Sequence, residues 1–374
     1  MAGLNETPSG NRIHIAFFGL RNAGKSTLVN AFCGQDIAIV SDVAGTTTDP
    51  VSKAMEILPL GPCLVTDTAG LDDVGELGEM RVQKTLAVLA TTDIAVWVDA
   101  QGERDDVRKN FLAECARLRV AVLEYHRGDS IDELKTRIAS QKIADAPPAL
   151  LDGIVNPGDH LALVCPIDES APKGRLILPQ VQAIRDCLDR HATCTVCQPS
   201  ELPAVLAKGG VHIVVTDSQA FGEVRKIVTA SPSPQPRLTS FSILFARQKG
   251  DLDEYINGVA AIRNLKDGDT VLIAEGCTHH RQCNDIGTVK LPKALERLSG
   301  KKLNFIFSSG TDFPISSTPK PALIVQCGGC MLSRRDVLRR IHAAKAARIP
   351  ITNYGMTLGA ASGISVAHGS PFTF

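Results

Sequence analysis

Three cysteines in the last third of the chain have the residue type and spacing that suit a metal centre. Cys277 is followed two residues later by His279, and about fifty residues further on Cys327 and Cys330 form a Cys-x-x-Cys pair. Thiolates are the ligands that iron–sulfur centres select, and such a pair lets two sulfurs reach one centre. The two intervening glycines leave the backbone free to offer N–H groups to sulfur. These residues predict a thiolate-rich metal site.

Spacing alone leaves three interpretations of this site open. Zinc accepts the same cysteine and histidine ligands, and unligated cysteines often serve as small buried hydrophobic residues. The site is therefore an iron–sulfur cluster, a zinc ion or no metal site at all. Cys283 lies nearby in sequence and could compete as a ligand. Cys194 and Cys197 form another such pair, but they fall on a predicted strand and face opposite sides, which indicates structural roles.

Two apolar runs must position the cysteines. Residues 271–275 and 322–326 are short and apolar, which is typical of buried parallel strands. Each cysteine group falls just past the carboxyl end of its run, the edge at which open α/β sheets bind ligands. We therefore expect the three thiols to converge at one sheet edge despite their distance in sequence.

A second group of chemically distinctive residues lies near the amino terminus. An apolar run at 13–18 leads directly into G-x-x-x-x-G-K-S and then into a helical stretch. In this strand–loop–helix context backbone N–H groups bind phosphates, Lys25 reaches the outer phosphates and Ser26 binds Mg²⁺. The predicted nucleotide-binding residues of the loop are Gly19, Asn22, Ala23, Gly24, Lys25, Ser26 and Thr27.

Two further elements follow in the order that nucleotide hydrolases use. The loop G-T-T-T-D at 45–49 carries Thr47, whose hydroxyl would contact Mg²⁺ and the γ-phosphate. The strand at 63–67 ends in D-x-x-G, where Asp67 would hold the magnesium shell and Gly70 would sense the γ-phosphate. The predicted catalytic residues are Lys25 and Thr47, and the predicted magnesium ligands are Ser26, Thr47 and Asp67.

This ordered set resembles the translation-factor-related GTPases, and in particular their potassium-activated branch, which shares an asparagine at the position of Asn22. The resemblance implies that GTP is the nucleotide and that Asn22 helps hold a K⁺ ion in place of an arginine finger. Alternatively, Asn22 only shapes the loop. Leu71 follows Gly70 where Ras-like enzymes have the glutamine that orients water, which fits a slow, cation-assisted switch.

The segment that should recognise guanine departs from the pattern of those GTPases. The predicted strand at 120–125 is followed by H-R-G-D at 126–129 in place of N-K-x-D, so that only Asp129 is retained as a nucleotide-binding candidate. Alternatively, residues 128–135 resemble the segment after the last strand of such domains, and the guanine-reading unit is then absent. A preference for guanine therefore rests on the resemblance.

The composition argues against several classes of protein. Forty Lys and Arg residues balance forty Asp and Glu residues, which argues against a polyanion-binding surface and so against a nucleic-acid partner. Eleven cysteines without a secretory leader indicate a reducing compartment. No apolar run approaches membrane-spanning length, and the first eleven residues do not resemble a transit peptide. We expect a cytoplasmic protein without a membrane partner.

Proline-rich segments divide the chain. Its 374 residues suggest two or three domains, and A-P-P-A at 146–149 and S-P-S-P-Q-P at 231–236 mark boundaries. The predicted fold class is α/β with three domains, a P-loop GTPase-like domain followed by two smaller parallel-sheet α/β layers. The predicted bounds are a disordered amino terminus at 1–11, a shortened GTPase-like domain at 12–145, a second domain at 146–235 and a third at 236–374.

A phosphate loop of this kind, joined to C-T-H-H at 277–280 and C-G-G-C-M at 327–331, closely resembles the HydF family, the GTPase maturases of FeFe-hydrogenase. The resemblance covers nearly the whole chain and includes residues 171–180, 215–219 and 353–355. It implies that the three domains are a GTPase domain, a dimerisation domain and a cluster-binding domain, in a homodimer or a higher oligomer.

The resemblance also implies a function. In this family Cys277, Cys327 and Cys330 would bind a 4Fe–4S cluster, and the protein would carry a diiron precursor from radical-SAM maturases to apo FeFe-hydrogenase, with GTP hydrolysis as a switch. The family usually has a histidine before its Cys-x-x-Cys, and here that residue is Gln326. His279 remains a candidate fourth ligand, as do water or no protein group. The alternatives are a zinc-bearing ribosome- or tRNA-associated GTPase and a paralogue that no longer discriminates guanine.

Overall fold

The computed structural model describes residues 7, 9–34, 50–72, 76–99, 105–144, 146–167, 174, 176–276, 285–310, 312–329 and 332–373. The chain divides into two compact units, Met1–Ala146 and Pro147–Phe374. Each unit is described by itself below.

The first unit is built on one sheet whose described part has five strands. Its elements in chain order are β1 (Ile13–Phe18), α1 (Lys25–Cys33), β2 (Val51–Ile57), β3 (Gly61–Asp67), α2 (Glu76–Thr91), β4 (Ile94–Val98), α3 (Asp105–Leu118), β5 (Ala121–Tyr125) and α4 (Ile131–Ala139). The strand order is β2-β3-β1-β4-β5. All neighbouring strands are parallel except β2 and β3.

Helices cover both faces of this sheet, which is why its central strands read as continuous apolar runs. Successive residues of β1 alternate between the two cores. Phe17 packs on α1, where its ring centroid lies 5.4 Å from that of Phe32. Phe18 packs on the opposite face, where Phe111 of α3 lies between it and Trp97. This packing fixes the carboxyl end of β1 and therefore the start of the loop that follows it.

The second unit contains two four-stranded sheets in which all strands are parallel. The elements of the first sheet are β6 (His160–Val164), α5 (Leu178–Asp189), β7 (Thr193–Cys197), α6 (Leu202–Ala207), β8 (Ile213–Thr216), α7 (Phe221–Ala230) and β9 (Arg237–Ser240), followed by α8 (Phe241–Lys249). The strand order is β7-β6-β8-β9.

The second sheet of this unit repeats the same winding. Its elements are α9 (Leu252–Ala261), β10 (Thr270–Ala274), a π-helical turn (Ile286–Lys290), α10 (Leu291–Ser299), β11 (Asn304–Ser308), β12 (Leu323–Gln326), α11 (Arg334–Ala346), β13 (Ile351–Asn353) and α12 (Tyr354–Ala361). The strand order is β11-β10-β12-β13, so in both sheets the first strand is flanked by the second and third. The predicted α/β fold class with two parallel-sheet layers is confirmed.

Two separate hydrophobic cores pack against the two faces of this second sheet. On one face, α9 and α11 contribute Tyr255, Val337 and Ile341 to a core shared with β10 and β12. On the other face, α10 contributes Leu291 and Leu295. Because both faces are covered, the carboxyl edge of the sheet is the part left for a site.

The described helices are too short or too polar to cross a membrane.

Candidate functional site

The residues between β1 and α1 form a loop that is held by its own hydrogen bonds. The Ala23 N–H donates to the Leu20 carbonyl at 3.3 Å, and the Leu28 N–H donates to the Gly24 carbonyl at 2.9 Å. Gly24 stands directly before α1 with a φ of 89°, a left-handed conformation that favours glycine. The loop therefore wraps around the amino end of α1, where free backbone N–H groups bind phosphates.

Lys25 is buried and points back over this loop. Its Nζ donates to the Leu20 carbonyl at 2.7 Å and lies 3.4 Å from the Gly19 carbonyl. The ammonium group is therefore held above the same backbone that would bind phosphate. This arrangement suits a lysine that contacts the outer phosphates of a nucleotide.

The geometry beside the loop fits a magnesium site. The Ser26 hydroxyl donates to Asp67 Oδ2 at 2.6 Å, so the structure brings these two predicted ligands together. Asp67 is fully buried, and its Oδ1 has no hydrogen-bond partner among the residues that the structure describes. Burial raises the pKa of Asp67, although Ser26 and Lys25 oppose the shift. A buried carboxylate oxygen without a donor, beside a hydroxyl, suits a hard divalent cation.

Asp72, which no sequence motif identifies, contacts the phosphate loop. Asp72 Oδ1 accepts a hydrogen bond from the Arg21 backbone N–H at 2.6 Å, and the Leu71 N–H donates to the Gly19 carbonyl at 3.2 Å. A Cβ added at Gly70 would lie 2.8 Å from the Arg21 nitrogen, so the two segments are already in close contact. The Asp72 carboxylate therefore already accepts a hydrogen bond from a loop N–H group that could otherwise donate to a phosphate oxygen.

Asp129 is engaged within its own turn. Its carboxylate accepts the His126 backbone N–H at 2.9 Å, and its carbonyl accepts the Tyr125 hydroxyl at 3.2 Å. His126 Nδ1 lies 2.8 Å from Asp99 Oδ2. Immediately after this turn, α4 packs in the same core as α1. The geometry does not assign Asp129 to a base-binding position.

Of the predicted cluster ligands, Cys327 is the one within the described part of the chain. Thr47, Cys277, His279 and Cys330 lie outside the described residues, as does the nearby Cys283. Among the described residues no group of three or more metal-ligating side chains comes together.

Cys327 lies where the sequence predicts, at the carboxyl edge of the last sheet. It directly follows β12, and its Sγ accepts the Gly276 backbone N–H at 3.0 Å. Gly276 follows the neighbouring strand β10, and Cys277 is the next residue in sequence. An N–H donated to sulfur favours the thiolate, so this half-buried cysteine fits a metal ligand.

Buried polar groups lie next to Cys327. The Gln326 amide donates to the Tyr255 hydroxyl, while its Oε1 has no partner in the described part of the chain. The Tyr354 hydroxyl lies 3.2 Å from Glu275 Oε1, and both stand close to Gly287, where an added Cβ would lie 2.4 Å from that oxygen. These contacts fix the strand ends that carry the cysteines.

Two buried cations flank the same edge. Lys249 at the end of α8 is 3 % exposed, and its Nζ donates to the Gly329 carbonyl at 2.8 Å and to the Leu332 carbonyl at 3.0 Å. Arg340 of α11 is 1 % exposed, and its Nη2 donates to the Gly310 carbonyl at 2.6 Å. Lys249 therefore places positive charge against the backbone shortly after Cys327, and Arg340 places it against the backbone shortly after β11.

The carboxyl-terminal part of the chain matches two domain models of a single family. Residues 150–250 match the hydrogen maturase F dimerization domain, and residues 253–366 match the hydrogen maturase F tetramerization domain. Together these two regions make up more than half of the chain. The chain belongs to the HydF family.

The amino-terminal part of this HydF-family protein is a GTPase domain. Residues 14–140 match the model described as 50S ribosome-binding GTPase. The tRNA modification GTPase MnmE of Endomicrobium trichonymphae is 42 % identical over 96 residues, which are 25 % of this chain and 21 % of that protein. MnmE of Erythrobacter litoralis is 30 % identical over 159 residues, 39 % of this chain and 35 % of that protein. The chain thus spans about a fifth to a third of these relatives.

Two similar solved structures are GTPases. Era of Aquifex aeolicus bound to GDP·AlF4⁻ is 17 % identical with a TM-score of 0.28, over 79 % of this chain and 92 % of that chain. Toc33 of Arabidopsis thaliana with Mg²⁺ and GMPPNP is 14 % identical with a TM-score of 0.24, over 50 % of this chain and 71 % of that chain. Likeness at this level adds nothing to the assignment of the HydF site.

The cysteine pair of the middle layer has the structural placement that its strand periodicity predicts. Cys194 packs against the core on one face of the sheet, beside Cys187, and Cys197 belongs to the core on the other face. Asn353, the first residue of the segment 353–355 that carries part of the family resemblance, accepts the Met356 N–H at 2.8 Å and caps α12.

Proposed function

We propose that this HydF-family chain is a hydrogenase-maturation scaffold that binds and hydrolyses GTP and holds a 4Fe–4S cluster. It would receive a diiron precursor from radical-SAM maturases and deliver it to apo FeFe-hydrogenase. The observation that carries the proposal is the combination, in one chain with two HydF domains, of a preorganised phosphate loop and a thiol at a sheet edge flanked by buried cations.

The nucleotide would bind through the loop from Gly19 to Thr27. Loop N–H groups would bind the phosphates, Lys25 would contact the outer phosphates, and Asp67 with Ser26 would hold Mg²⁺, which neutralises developing charge. Thr47 would complete the magnesium shell, and Gly70 would respond to the γ-phosphate. Asn22 would hold an activating K⁺ ion.

The cluster would be held by the thiolates of Cys277, Cys327 and Cys330, with His279 as candidate fourth ligand. Such a cluster, when bound, supplies an iron atom whose fourth position is exchangeable, which suits a carrier. The contribution of the chain itself is to donate the Gly276 N–H to Cys327 and to hold the loop after β12 through Lys249. Both contacts stabilise a site with concentrated negative charge.

The chain would act as a homo-oligomer. Val196 on β7 is 45 % exposed and Phe307 on β11 is 40 % exposed, and each lies on an outer strand of its sheet. Exposed apolar residues on edge strands, which have one side of the backbone without a neighbouring strand in the described sheet, favour association with another chain. The named dimerization and tetramerization domain models support this part of the proposal.

Hydrolysis tests the first half of the proposal. We expect wild-type protein with Mg²⁺ to hydrolyse GTP faster in K⁺ than in Na⁺, and Lys25→Ala to lose at least about a hundredfold in rate because it removes phosphate charge stabilisation. Lys109→Ala, at an exposed position of α3, is the matched control. GTP hydrolysis that is unaffected by Lys25→Ala would contradict the proposal. Equal rates of GTP and ATP hydrolysis would show that the protein has no preference for guanine.

Anaerobic reconstitution tests the second half. After reduction with dithionite, electron paramagnetic resonance should show a 4Fe–4S signal that Cys327→Ala abolishes, since that substitution removes a thiolate ligand. Cys33→Ala, which changes a half-buried cysteine of the first unit, should leave the signal intact. Tightly bound zinc with no cluster signal would refute the maturase proposal.

A tRNA-associated GTPase is the second candidate function, because the MnmE relatives share the amino-terminal region. It predicts RNA binding that weakens steeply with salt, since phosphate contacts release counterions. The zero net charge of the chain and its two HydF domains favour the first proposal. Filter binding with tRNA at two salt concentrations distinguishes them.

A further inference from the structure

We propose that Arg340 is a positioning residue for the cluster, and that its guanidinium group compensates the negative charge of the thiolate-bound iron–sulfur centre. This inference rests on the proposed cluster site. It assigns to Arg340 the role of stabilising the loaded protein and of raising the reduction potential of the cluster.

The first observation is a buried guanidinium group with unused donors. Besides the bond from Nη2 to Gly310, the side chain stacks over Phe313, with the guanidinium carbon 5.1 Å from the ring centroid. Nε and Nη1 are buried and have no hydrogen-bond partner among the residues that the structure describes. Arginine remains charged in proteins, so this is a buried cation with two nitrogens whose N–H groups have no acceptor among the described residues.

The buried guanidinium group of Arg340 needs a nearby anion to offset the free-energy cost of its burial. An unpaired buried charge is strongly unfavourable, and a buried donor without an acceptor adds to the cost. Burial lowers the pKa of Arg340, whereas the charges of Cys327 and Asp336 act in the opposite direction. Asp336 is already used elsewhere, because its carboxylate accepts the Ser333 hydroxyl at 3.2 Å and lies 3.7 Å from Arg339.

The topology of the sheet places the Arg340 side chain near the carboxyl edge at which Cys327 follows β12. The carbonyl that Arg340 binds belongs to Gly310, just past the carboxyl end of β11, while α11 itself begins after the loop that follows β12. The strand between β11 and β12 is β10, whose end carries Gly276, the N–H donor to Cys327. A side chain that reaches from α11 to Gly310 therefore lies along the edge at which the cysteine-bearing strand ends meet.

Lys249 supplies a second, independent positive charge at this edge. Its two carbonyl acceptors, Gly329 and Leu332, lie on either side of Cys330 in sequence. A cluster held by three thiolates is a net anion, and it becomes more negative on reduction. A fixed cation nearby therefore stabilises the reduced form more than the oxidised form and raises the reduction potential.

The test compares the full-length chain with Arg340→Met and with Arg339→Met. Methionine keeps an unbranched, flexible stem but carries no charge, and Arg339 is the neighbouring arginine on α11, with its side chain 41 % exposed. Each protein is measured without metal by thermal unfolding and, after anaerobic reconstitution, by iron content and by an EPR-monitored redox titration.

The metal-free and the cluster-bound protein should respond to Arg340→Met in opposite ways. Without metal, Arg340→Met should unfold at a temperature no lower than wild type, because it removes an uncompensated buried charge. With the cluster, its reduction equilibrium should shift at least tenfold against reduction, a fall in midpoint potential of about 59 mV for one electron, and its iron should dissociate faster. Arg340→Lys, which keeps the charge, should recover most of the potential, and Arg339→Met should match wild type.

Other results would overturn the proposal. If metal-free Arg340→Met unfolds earlier or fails to fold, the guanidinium group is already satisfied in the apoprotein and has no need of the cluster. If wild type and Arg340→Met both load a cluster with equal potentials and equal iron retention, this inference fails while the scaffold function stands. If wild type itself loads no cluster, both fail.

Discussion

Replacing Asp72 with asparagine should tighten nucleotide binding. In the nucleotide-free protein the Asp72 carboxylate accepts the Arg21 N–H of the phosphate loop at 2.6 Å. A phosphate that needs this N–H group must first displace the carboxylate and then tolerate its negative charge. Asparagine keeps the size of the side chain and removes the charge, so it isolates the electrostatic part of the competition.

The structure sets the size of the effect. A hydrogen bond to a charged group contributes about 1.5–3 kcal/mol, and the lower figure applies because the Asp72 side chain is partly open to solvent. Two like charges at about 4 Å in water repel by about 1 kcal/mol. Because asparagine still accepts a weaker hydrogen bond, we expect a net gain of about 1.4 kcal/mol, a roughly tenfold lower Kd.

Stopped-flow fluorescence with a labelled GTP analogue measures this change, with Glu79→Gln on the exposed face of α2 as the control for the loss of one negative charge. The gain should appear in the association rate and should shrink as salt screens the repulsion. An unchanged or weaker affinity for Asp72→Asn would refute the reasoning, and an equal gain for Glu79→Gln would assign the effect to net charge.

The other predictions concern stability and thiol reactivity. Gly258→Ala should destabilise the second unit by about 2 kcal/mol or more in urea unfolding, because its Cβ would lie 2.0 Å from the Ile351 carbonyl oxygen. The matched change Gly222→Ala in α7, where nothing lies within 4 Å, should instead stabilise by up to about 1 kcal/mol; equal effects at both glycines would contradict the geometry. Because burial raises the pKa of Asp67 above its ordinary 3.8, Asp67→Asn should stabilise the nucleotide-free protein at neutral pH, and the gain should vanish as the pH falls to that value. A gain that is independent of pH in thermal unfolding would refute this. A hydrogen bond from the Cys187 thiol on α5 lowers the pKa of Cys194 to about 7, whereas burial raises the pKa of Cys63, Cys115 and Cys165. Iodoacetamide should therefore label Cys194 faster at pH 7 than these three cysteines, as peptide mass mapping would show.

The sequence predicts those parts of the fold whose signal is local. The phosphate loop is recognisable because strand, glycine-rich loop and helix follow one another without interruption. The helix Arg334–Ala346 has equally local signals, since a serine cap and an amphipathic pattern mark it. The predicted strands that hold the cysteine groups agree with β10 and β12 to within one residue.

The rest depends on packing between distant segments. The segment Phe241–Lys249 forms α8, yet it is buried on nearly all sides and therefore lacks the one-sided pattern by which a helix is recognised. Asp72 follows the D-x-x-G motif as an ordinary acidic residue, and only the fold brings it to Arg21. Arg335 and Arg340 are the buried ones among the arginines of α11, and no sequence pattern distinguishes them from their more exposed neighbours.

The two sheets of the second unit have the same strand connectivity, and this has a consequence for how they are joined. In both sheets the last residue of the fourth strand caps the next helix, through Ser240 to the Ile243 N–H and through Asn353 to the Met356 N–H. These two helices also meet closely, since a Cβ at Gly355 would lie 2.3 Å from the Ser242 side chain. The two halves of the second unit therefore meet through equivalent helices, α8 and α12, each capped by the last residue of its own sheet. Added volume at Gly355 or Ser242 would disturb the ends of both sheets at once.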